Sequence, residues 1–466
     1  MPQLSDSCLS ALEEILGKGG VLSDPESLQL YGSDWTRVYE PNPCAVVLPS
    51  TIEQVQAVVQ LAVREGIAIV PSGGRTGLSA GAVAANGELV MSLDKLNTIS
   101  DFNDIDRSVR CGAGVITGAL QQFAEDQGLF YPVDFASSGS SQVGGNISTN
   151  AGGIKVIRHG MTRDWVAGLK LVTGTGELLD LNRGLIKNNA GYDLRQLVIG
   201  AEGTLGVVVE ATMRLSRAPR DLAVLVLGVT DMPAIMSVLN TFQSSMELSA
   251  FEFFSELALQ KVVEHQGHQR PFATETPFYA LLEFEQSGAD DMDNAMTLFE
   301  QCVEQGWVVD GVVSQSLSQA QDLWRLREDI SETLSRWTPY KNDISTVISK
   351  VPEFLAEVEA VVSSNYPDFE TVWYGHIGDG NLHLNVLKPD ALSMEEFQSR
   401  CGAVSKWLFE IVERYGGSVS AEHGVGMLKK EYLPYSRSAL EIQIMRQIKQ
   451  AFDPAGIMNP GKIFDA

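Results

Sequence analysis

The sequence predicts an α+β protein with a glycine-jointed first domain, a second domain built on an antiparallel sheet, and a closing helical segment. Three observations predict it. Residues from about Pro43 to Leu215 alternate strand-like and helix-like runs with glycine-rich joints. After Arg217 the glycines thin out, and long apolar strands alternate with amphipathic helices. Ala439 to Phe452 has helical period and ends at Asp453-Pro-Ala-Gly. The expected domains are therefore 1–217, 218–425 and 426–466, the last returning to the first. In order, Ala45-Val-Val-Leu is a strand, and Ser50-Thr-Ile-Glu53 reads as a capping box opening a helix with Val55, Val58, Val59 and Ala62 inward. Gly66 ends that helix and Ile67-Ala-Ile-Val70 is the next strand. Leu222 to Leu227 and Phe278 to Phe284 are strands of the second domain. Leu323 to Leu334 is a helix with Leu323, Leu326, Ile330 and Leu334 as its buried stripe.

Composition narrows the function. Lys plus Arg is 34 against 59 Asp plus Glu, a net charge of −25. Such a surface repels phosphate backbones, so nucleic acid is not an expected partner, and an anionic substrate requires local cations. The five cysteines are scattered without CxxC spacing, which suits a reducing compartment. No apolar run approaches the ~18 residues of a membrane span, and the acidic N-terminal stretch suits no targeting segment. A soluble, cytoplasmic protein is expected.

Three glycine-rich segments, at 71–79, 137–153 and 200–206, are more than turns require, and the first two carry chemistry on their own residues. Pro71-Ser-Gly-Gly-Arg-Thr-Gly-Leu-Ser79 follows a strand and offers consecutive backbone N–H groups and hydroxyls to an anion such as a pyrophosphate. Ser137 to Gly153 is apolar only at Val143, Ile147 and Ala151 and reads as a long loop whose backbone approaches a flat polar ring. With Lys187 to Val208 and the closing Asn459-Pro-Gly-Lys462, these segments resemble the flavin domain of the vanillyl-alcohol-oxidase/p-cresol-methylhydroxylase type. The resemblance implies non-covalent FAD, since the first loop has no histidine; His159 is read as structural. It implies cofactor contacts at Pro71, Ser72, Gly73, Gly74, Arg75, Thr76, Gly77, Leu78 and Ser79. It implies them also at Ser138, Ser141, Gly144, Gly145, Asn146, Thr149, Asn150, Gly152, Gly153, Glu202, Gly203, Val207 and Asn459. Ser72 and Arg75 depart from relatives that often carry Arg and Gly there, leaving Arg75 either on the pyrophosphate or in solvent.

Three of the six histidines fall close together. In Gly375-His376-Ile-Gly-Asp379-Gly380-Asn-Leu-His383, Asp-Gly is a two-residue hairpin turn signal. That turn would set His376 opposite His383, with Asn385 on the same face. Glu422-His423 adds a carboxylate and an imidazole, and two His plus one Glu is a catalytic zinc set; Mn²⁺ or Co²⁺ would also suit it. Spacing alone leaves two core histidines equally open. His265 and His268 are expected in solvent. The pattern GHIGDGNLHLN…EHGVG resembles the C-terminal domain of FAD-dependent D-2-hydroxy-acid dehydrogenases. That resemblance implies His376, His383 and Glu422 as metal ligands and His423 as the catalytic base in contact with substrate.

Arg327 and Ser331 lie four apart on one helix face, and Lys341 follows. By spacing these are ordinary surface groups. The resemblance to the branch that oxidises D-2-hydroxyglutarate implies that Arg327, Ser331, Lys341 and Asn385 bind a small 2-hydroxy (di)acid. Ser331 replaces a usual Thr and Asn342 a usual Tyr, which keeps D-lactate, D-malate and the glycolate oxidase flavin subunit as alternatives. An electron-transfer flavoprotein or similar acceptor is implied as partner. A homodimer is left open.

Overall fold

The computed structural model describes residues 4–465 apart from 287 and 289. The chain forms two units. Met1–Gly152, Gly160–Ala218 and Glu422–Ala466 make one; Gly153–His159 and Pro219–Ala421 make the other. The second domain, expected at 218–425, thus ends at Ala421 and gains a short segment from within the first.

In the first unit, β1 (Val21–Leu22), β2 (Ala45–Val47), β3 (Ile69–Ser72) and β4 (Leu89–Ser92) form a sheet in the order β1-β2-β4-β3. The last three run parallel. The helix Ile52–Glu65 crosses between β2 and β3 and buries Val55, Val58, Val59, Leu61 and Ala62. Its cap lies one residue later than expected. Thr51 is extended and its hydroxyl accepts from Gln54 N, while Gln54 Oε1 accepts from Ser50 N at 2.8 Å. A second, antiparallel sheet holds β5 (Ile99–Asn103), β6 (Ser108–Gly112), β8 (Val166–Thr173), β9 (Leu178–Leu181) and β10 (Gly206–Arg214), in the order β5-β6-β10-β8-β9. A ribbon pairs β7 (Leu129–Phe130) with β11 (Ser216–Arg217).

The segment Ser137–Gly153 is not one long loop. Val143–Thr149 is a helix, with Val143 and Ile147 buried one turn apart. The four-residue spacing of those apolar groups was the helical signal, outweighed by the glycines. Gly144 explains itself by packing. A Cβ there would stand 2.7 Å from Ala113 Cβ, and its N–H donates to Ala113 O at 2.8 Å.

The second unit is a seven-stranded antiparallel sheet. β12 (Leu222–Val229), β13 (Leu248–Ser255), β14 (Phe278–Glu285), β15 (Val308–Val313), β16 (Tyr340–Ser345), β17 (Thr371–Gly375) and β18 (Asn381–Val386) are ordered β15-β12-β14-β13-β17-β18-β16. Both faces are buried. Val224, Val226, Ala250, Phe254, Tyr279, Leu281 and Tyr374 pack against Leu323, Trp324, Leu326, Ile330 and Leu334. Phe251, Phe253, Leu282 and Phe284 alternate with them and fill the opposite face. The expected helix 323–334 is broken at Asp329 into Leu317–Glu328 and Ile330–Leu334, yet its predicted stripe is buried. Gly153–His159 joins this unit through charge. Lys155 Nζ lies 2.5 Å from Glu283 Oε1 and over the Trp324 ring, and Arg158 reaches Glu285 at 3.3 Å.

The contact at Gly144 makes a direct prediction. Gly144→Ala should destabilise the first unit by roughly 1–3 kcal/mol, as overpacking does, read as a lower denaturation midpoint. Adding Ala113→Gly should restore part of the loss; an unchanged midpoint in the single variant would show that the approach is not tight.

Candidate functional site

The glycine-rich loops of the first unit meet around a cavity. Of the expected cofactor residues, Pro71, Ser72, Gly73, Gly74, Arg75, Thr76, Gly77, Ser79, Gly144, Gly145, Asn146, Thr149, Glu202, Gly203 and Asn459 line it. Gln142, unforeseen, lines it too. The remainder do not. Ser141 exchanges a hydroxyl bond with Thr117, Ser138 binds Asp134 and Phe135, and Asn150 accepts from Arg163 N. Val207 is in the core, and Leu78, Gly152 and Gly153 are not among the lining residues.

The cavity suits a polar, phosphorylated ring compound. Ser72 Oγ, Gln142 Oε1 and Asn459 Oδ1 are buried and have no partner among the described residues. Orphaned polar atoms on one wall call for a ligand that bonds them. Gly74 lies so close to the neighbouring loop that a Cβ would meet Ser140 O and Ser141 Cα, so the two loops hold the backbone with no side chain between. Arg75 lines the cavity and is not turned out into solvent. Its guanidinium folds back onto Gly73 O at 2.9 Å, lies 3.7 Å from Asp94 and covers the Tyr31 ring.

Glu202 turns its carboxylate to the returning chain. Oε1 accepts from Val425 N at 2.7 Å and Oε2 from Gly426 N at 2.8 Å. Burial pushes its pKa up, and these two N–H bonds oppose the shift. Asn459 Nδ2 donates to Glu202 O and Gly81 O. The loop that carries Glu422 and His423 is therefore pinned just beyond them. The ligand atoms of those two adjacent side chains lie within 4.8 Å of each other.

In the second unit, polar side chains collect on one sheet face. His383 stands opposite Tyr374 of β17 and Asp343 of β16; Asn385 stands opposite Lys341. This corrects the two-residue hairpin, in which His383 would face His376. The connection is longer. Ile377–Asp379 forms a 3₁₀ turn closed by Gly380 in the left-handed region, and Asp379 N and Asn381 N both donate to His376 O. The turn-forming Asp-Gly was read correctly as a turn, but its backbone bonds reach back to His376 rather than pairing across. His376 still reaches its neighbour: the two imidazole rings are 5.4 Å apart, edge to face. Asp343 was missed. It is fully buried, accepts from Asn381 Nδ2 at 2.9 Å, and lies 3.7 Å from His383 Nδ1. Its signal was strand alternation, which places it on the same face as Lys341.

The cations expected to be surface groups by spacing are not on the surface. Arg327 is buried, with Nη2 2.7 Å from Glu252 Oε2 and the guanidinium over Tyr374. Lys341 Nζ donates to Ser331 Oγ at 3.2 Å, and burial pulls its pKa down. No carboxylate lies within ion-pair reach of Lys341 among the described residues. Asn385 is buried with Oδ1 unpartnered. Asn342 points away from this face, since it pairs with Leu384 between Lys341 and Asp343. The Tyr-to-Asn departure therefore sits outside the polar cluster. Of the remaining histidines, His265 is exposed beside Trp337, but His268 is only part-exposed and lies 2.6 Å from Asp329. The expectation of solvent fails there because Asp329, 61 residues away in sequence, supplies a carboxylate partner.

Two family models match. One described as an FAD binding domain matches residues 43–182, and one described as the C-terminal domain of FAD linked oxidases matches residues 218–463. D-2-hydroxyglutarate dehydrogenase of Stutzerimonas stutzeri is 62% identical over 98% of this chain and 99% of that protein. The Xanthomonas citri enzyme of the same name is 53% identical, covering 99% of this chain and 98% of its own. The mitochondrial enzyme of Bos taurus is 36% identical, covering 99% and 84%. Among solved structures, p-cresol methylhydroxylase with substrate bound gives a TM-score of 0.77 at 16% identity, over 98% of this chain and 96% of that one. The 4-ethylphenol oxidase of Gulosibacter chungangensis gives 0.77 at 15%, over 98% and 97%. These two share the fold of the vanillyl-alcohol-oxidase/p-cresol-methylhydroxylase type. No helix among the described residues is long and apolar enough to cross a membrane.

His159 generates a pH prediction. Burial, then the charges of Arg158 and Lys155, pull its pKa from the ordinary 6.5 to about 4. Across that interval the unfolded chain takes up a proton that the folded chain refuses, so stability falls as pH drops from 6.5 toward 4. His159→Gln should flatten the dependence of the denaturation midpoint over this window, and an unaltered slope would remove His159 as its source.

Proposed function

The chain belongs to the FAD-linked oxidase family, and on that premise we propose that it is an FAD-dependent dehydrogenase that oxidises D-2-hydroxyglutarate to 2-oxoglutarate. The observation that carries the substrate is Lys341, whose partner is a hydroxyl and not a carboxylate. An ammonium carried into a protein without a counter-charge is costly, and an anionic ligand offsets that cost. Two cations and the His383–Asn385 stretch gathered on one sheet face suit a small molecule rich in anionic oxygens. The curated relatives of that name, at 62% and 53% identity, support the same reading.

The roles of the residues follow. Arg327 and Lys341, with the Ser331 hydroxyl, hold the far carboxylate and fix its orientation. Arg327 Nε has no acceptor among the described residues, so it retains a donor for it. Asn385, buried on the face of Lys341 and His383, is a further substrate-binding residue. His423 takes the proton of the 2-hydroxyl as general base. FAD held by the loops of the first unit would supply the oxidant for the C2 hydrogen. His376, His383 and Glu422 would hold a divalent cation, Zn²⁺ by donor type, which supplies polarisation of the hydroxyl and the near carboxylate. Two imidazoles and a carboxylate are the donor chemistry that such an ion selects, and Asp343, 3.7 Å from His383 Nδ1, adds an oxygen donor beside one of them. An electron-transfer flavoprotein or similar acceptor is the proposed electron-accepting partner.

Anaerobic titration of the flavin absorbance with D-2-hydroxyglutarate, D-malate and D-lactate tests the substrate. D-2-hydroxyglutarate should bleach it fastest; faster bleaching by D-lactate overturns the assignment. Arg327→Ala should lower kcat/KM for D-2-hydroxyglutarate by roughly 10- to 100-fold, the worth of a charge-assisted bond, with a smaller effect on D-lactate. Equal losses on both acids would place Arg327 away from the second carboxylate. Exhaustive chelation should abolish bleaching and zinc should restore it, whereas full activity after chelation would remove the cation from the reaction.

A further inference from the structure

We propose that Glu252 is a positioning residue that fixes His376 as a metal ligand and Arg327 as a carboxylate clamp through a single buried carboxylate. The inference rests on the metal reading above and extends it. Glu252 lies on β13, is almost wholly buried, and projects from the sheet face that carries Tyr374 and His383. Pairing of β13 with β17 runs Phe254↔Tyr374 and Phe253↔Gly375, so Glu252 stands where the strand hands over to His376. Its two oxygens divide. Oε1 lies 2.8 Å from His376 Nδ1, and Oε2 lies 2.7 Å from Arg327 Nη2.

A carboxylate can only accept, so His376 Nδ1 carries the proton and Nε2 carries the lone pair. That arrangement fixes the tautomer and ring orientation of a metal-binding imidazole and raises its basicity. The same carboxylate holds the guanidinium against the Tyr374 ring, 4.8 Å from its centroid. His376 and Arg327 are therefore held in one geometry by one group. Neither the glycine-histidine motif nor the Arg327 helix contains Glu252, which lies 124 residues from His376 in sequence.

The test measures Zn²⁺ affinity of the FAD-loaded protein by competition with a chromogenic chelator, with no turnover involved. Glu252→Gln should weaken zinc binding by roughly 10- to 100-fold, the usual cost of losing an outer partner of a ligand, at unchanged FAD content. His383→Ala runs beside it. If His383→Ala loses zinc and Glu252→Gln binds it as tightly as the parent, the positioning role is overturned while the metal reading stands. If both bind zinc as the parent does, the metal reading falls and the positioning role with it. Should Glu252→Gln fail to fold because Arg327 is left buried and unpaired, Glu252→Gln with Arg327→Met removes both charges. Its zinc affinity is then read against Arg327→Met alone, with the same 10- to 100-fold loss expected and equal affinity overturning the proposal.

Discussion

Charge carried into a sheet that is buried on both faces must be balanced inside it, and that requirement decides which side chains meet in the second unit. Glu252, Glu283, Glu285 and Asp343 all lie within the sheet and are buried. Glu283 and Glu285 are matched by Lys155 and Arg158, which draws a seven-residue stretch of the chain into this unit. Glu252 is matched by Arg327 and His376, and Asp343 by Asn381 and His383. Lys341 alone has a hydroxyl instead of a carboxylate. On the function proposed, the one cation left open is where a ligand's negative group would sit.

The first unit answers a different demand, a backbone open to a cofactor yet held in place. Its loops spend most side-chain bonds on one another. Arg75 returns to its own loop, and Ser141 to Thr117, while Ser72, Gln142 and Asn459 keep an atom unbonded on the cavity wall. The closing segment locks the arrangement. Buried Lys449 reaches Thr204 O and Met458 O, and Lys462 reaches Val83 O. Glu202 then holds the loop that follows His423.

Much of this was legible in the sequence where one period or one motif decides the outcome. The helix at 439–452, the strands from Leu222 and Phe278, and the apolar faces of the helices at 52–65 and 323–334 follow from periodicity. The glycine loops and the histidine motif were legible as chemistry because their residue types have few other uses in such density. What was not legible depends on groups far apart in the chain. Spacing made Arg327 a surface charge because it cannot show Glu252. Nothing local to the histidines pointed to Asp343 or Glu252. Spacing puts His268 in solvent because its partner, Asp329, lies 61 residues away in sequence. The hairpin register failed because the Asp-Gly turn satisfies its backbone within a 3₁₀ turn, lengthening the connection beyond two residues.

The central claim is that the imidazoles brought together on that sheet face hold a cation. Diffraction from crystals of the zinc-loaded protein, collected on both sides of the zinc absorption edge, tests it most directly. The account predicts an anomalous peak bonded to both His376 and His383. A peak elsewhere on the chain, with these two rings bonded only to protein groups in metal-saturated crystals, would contradict it.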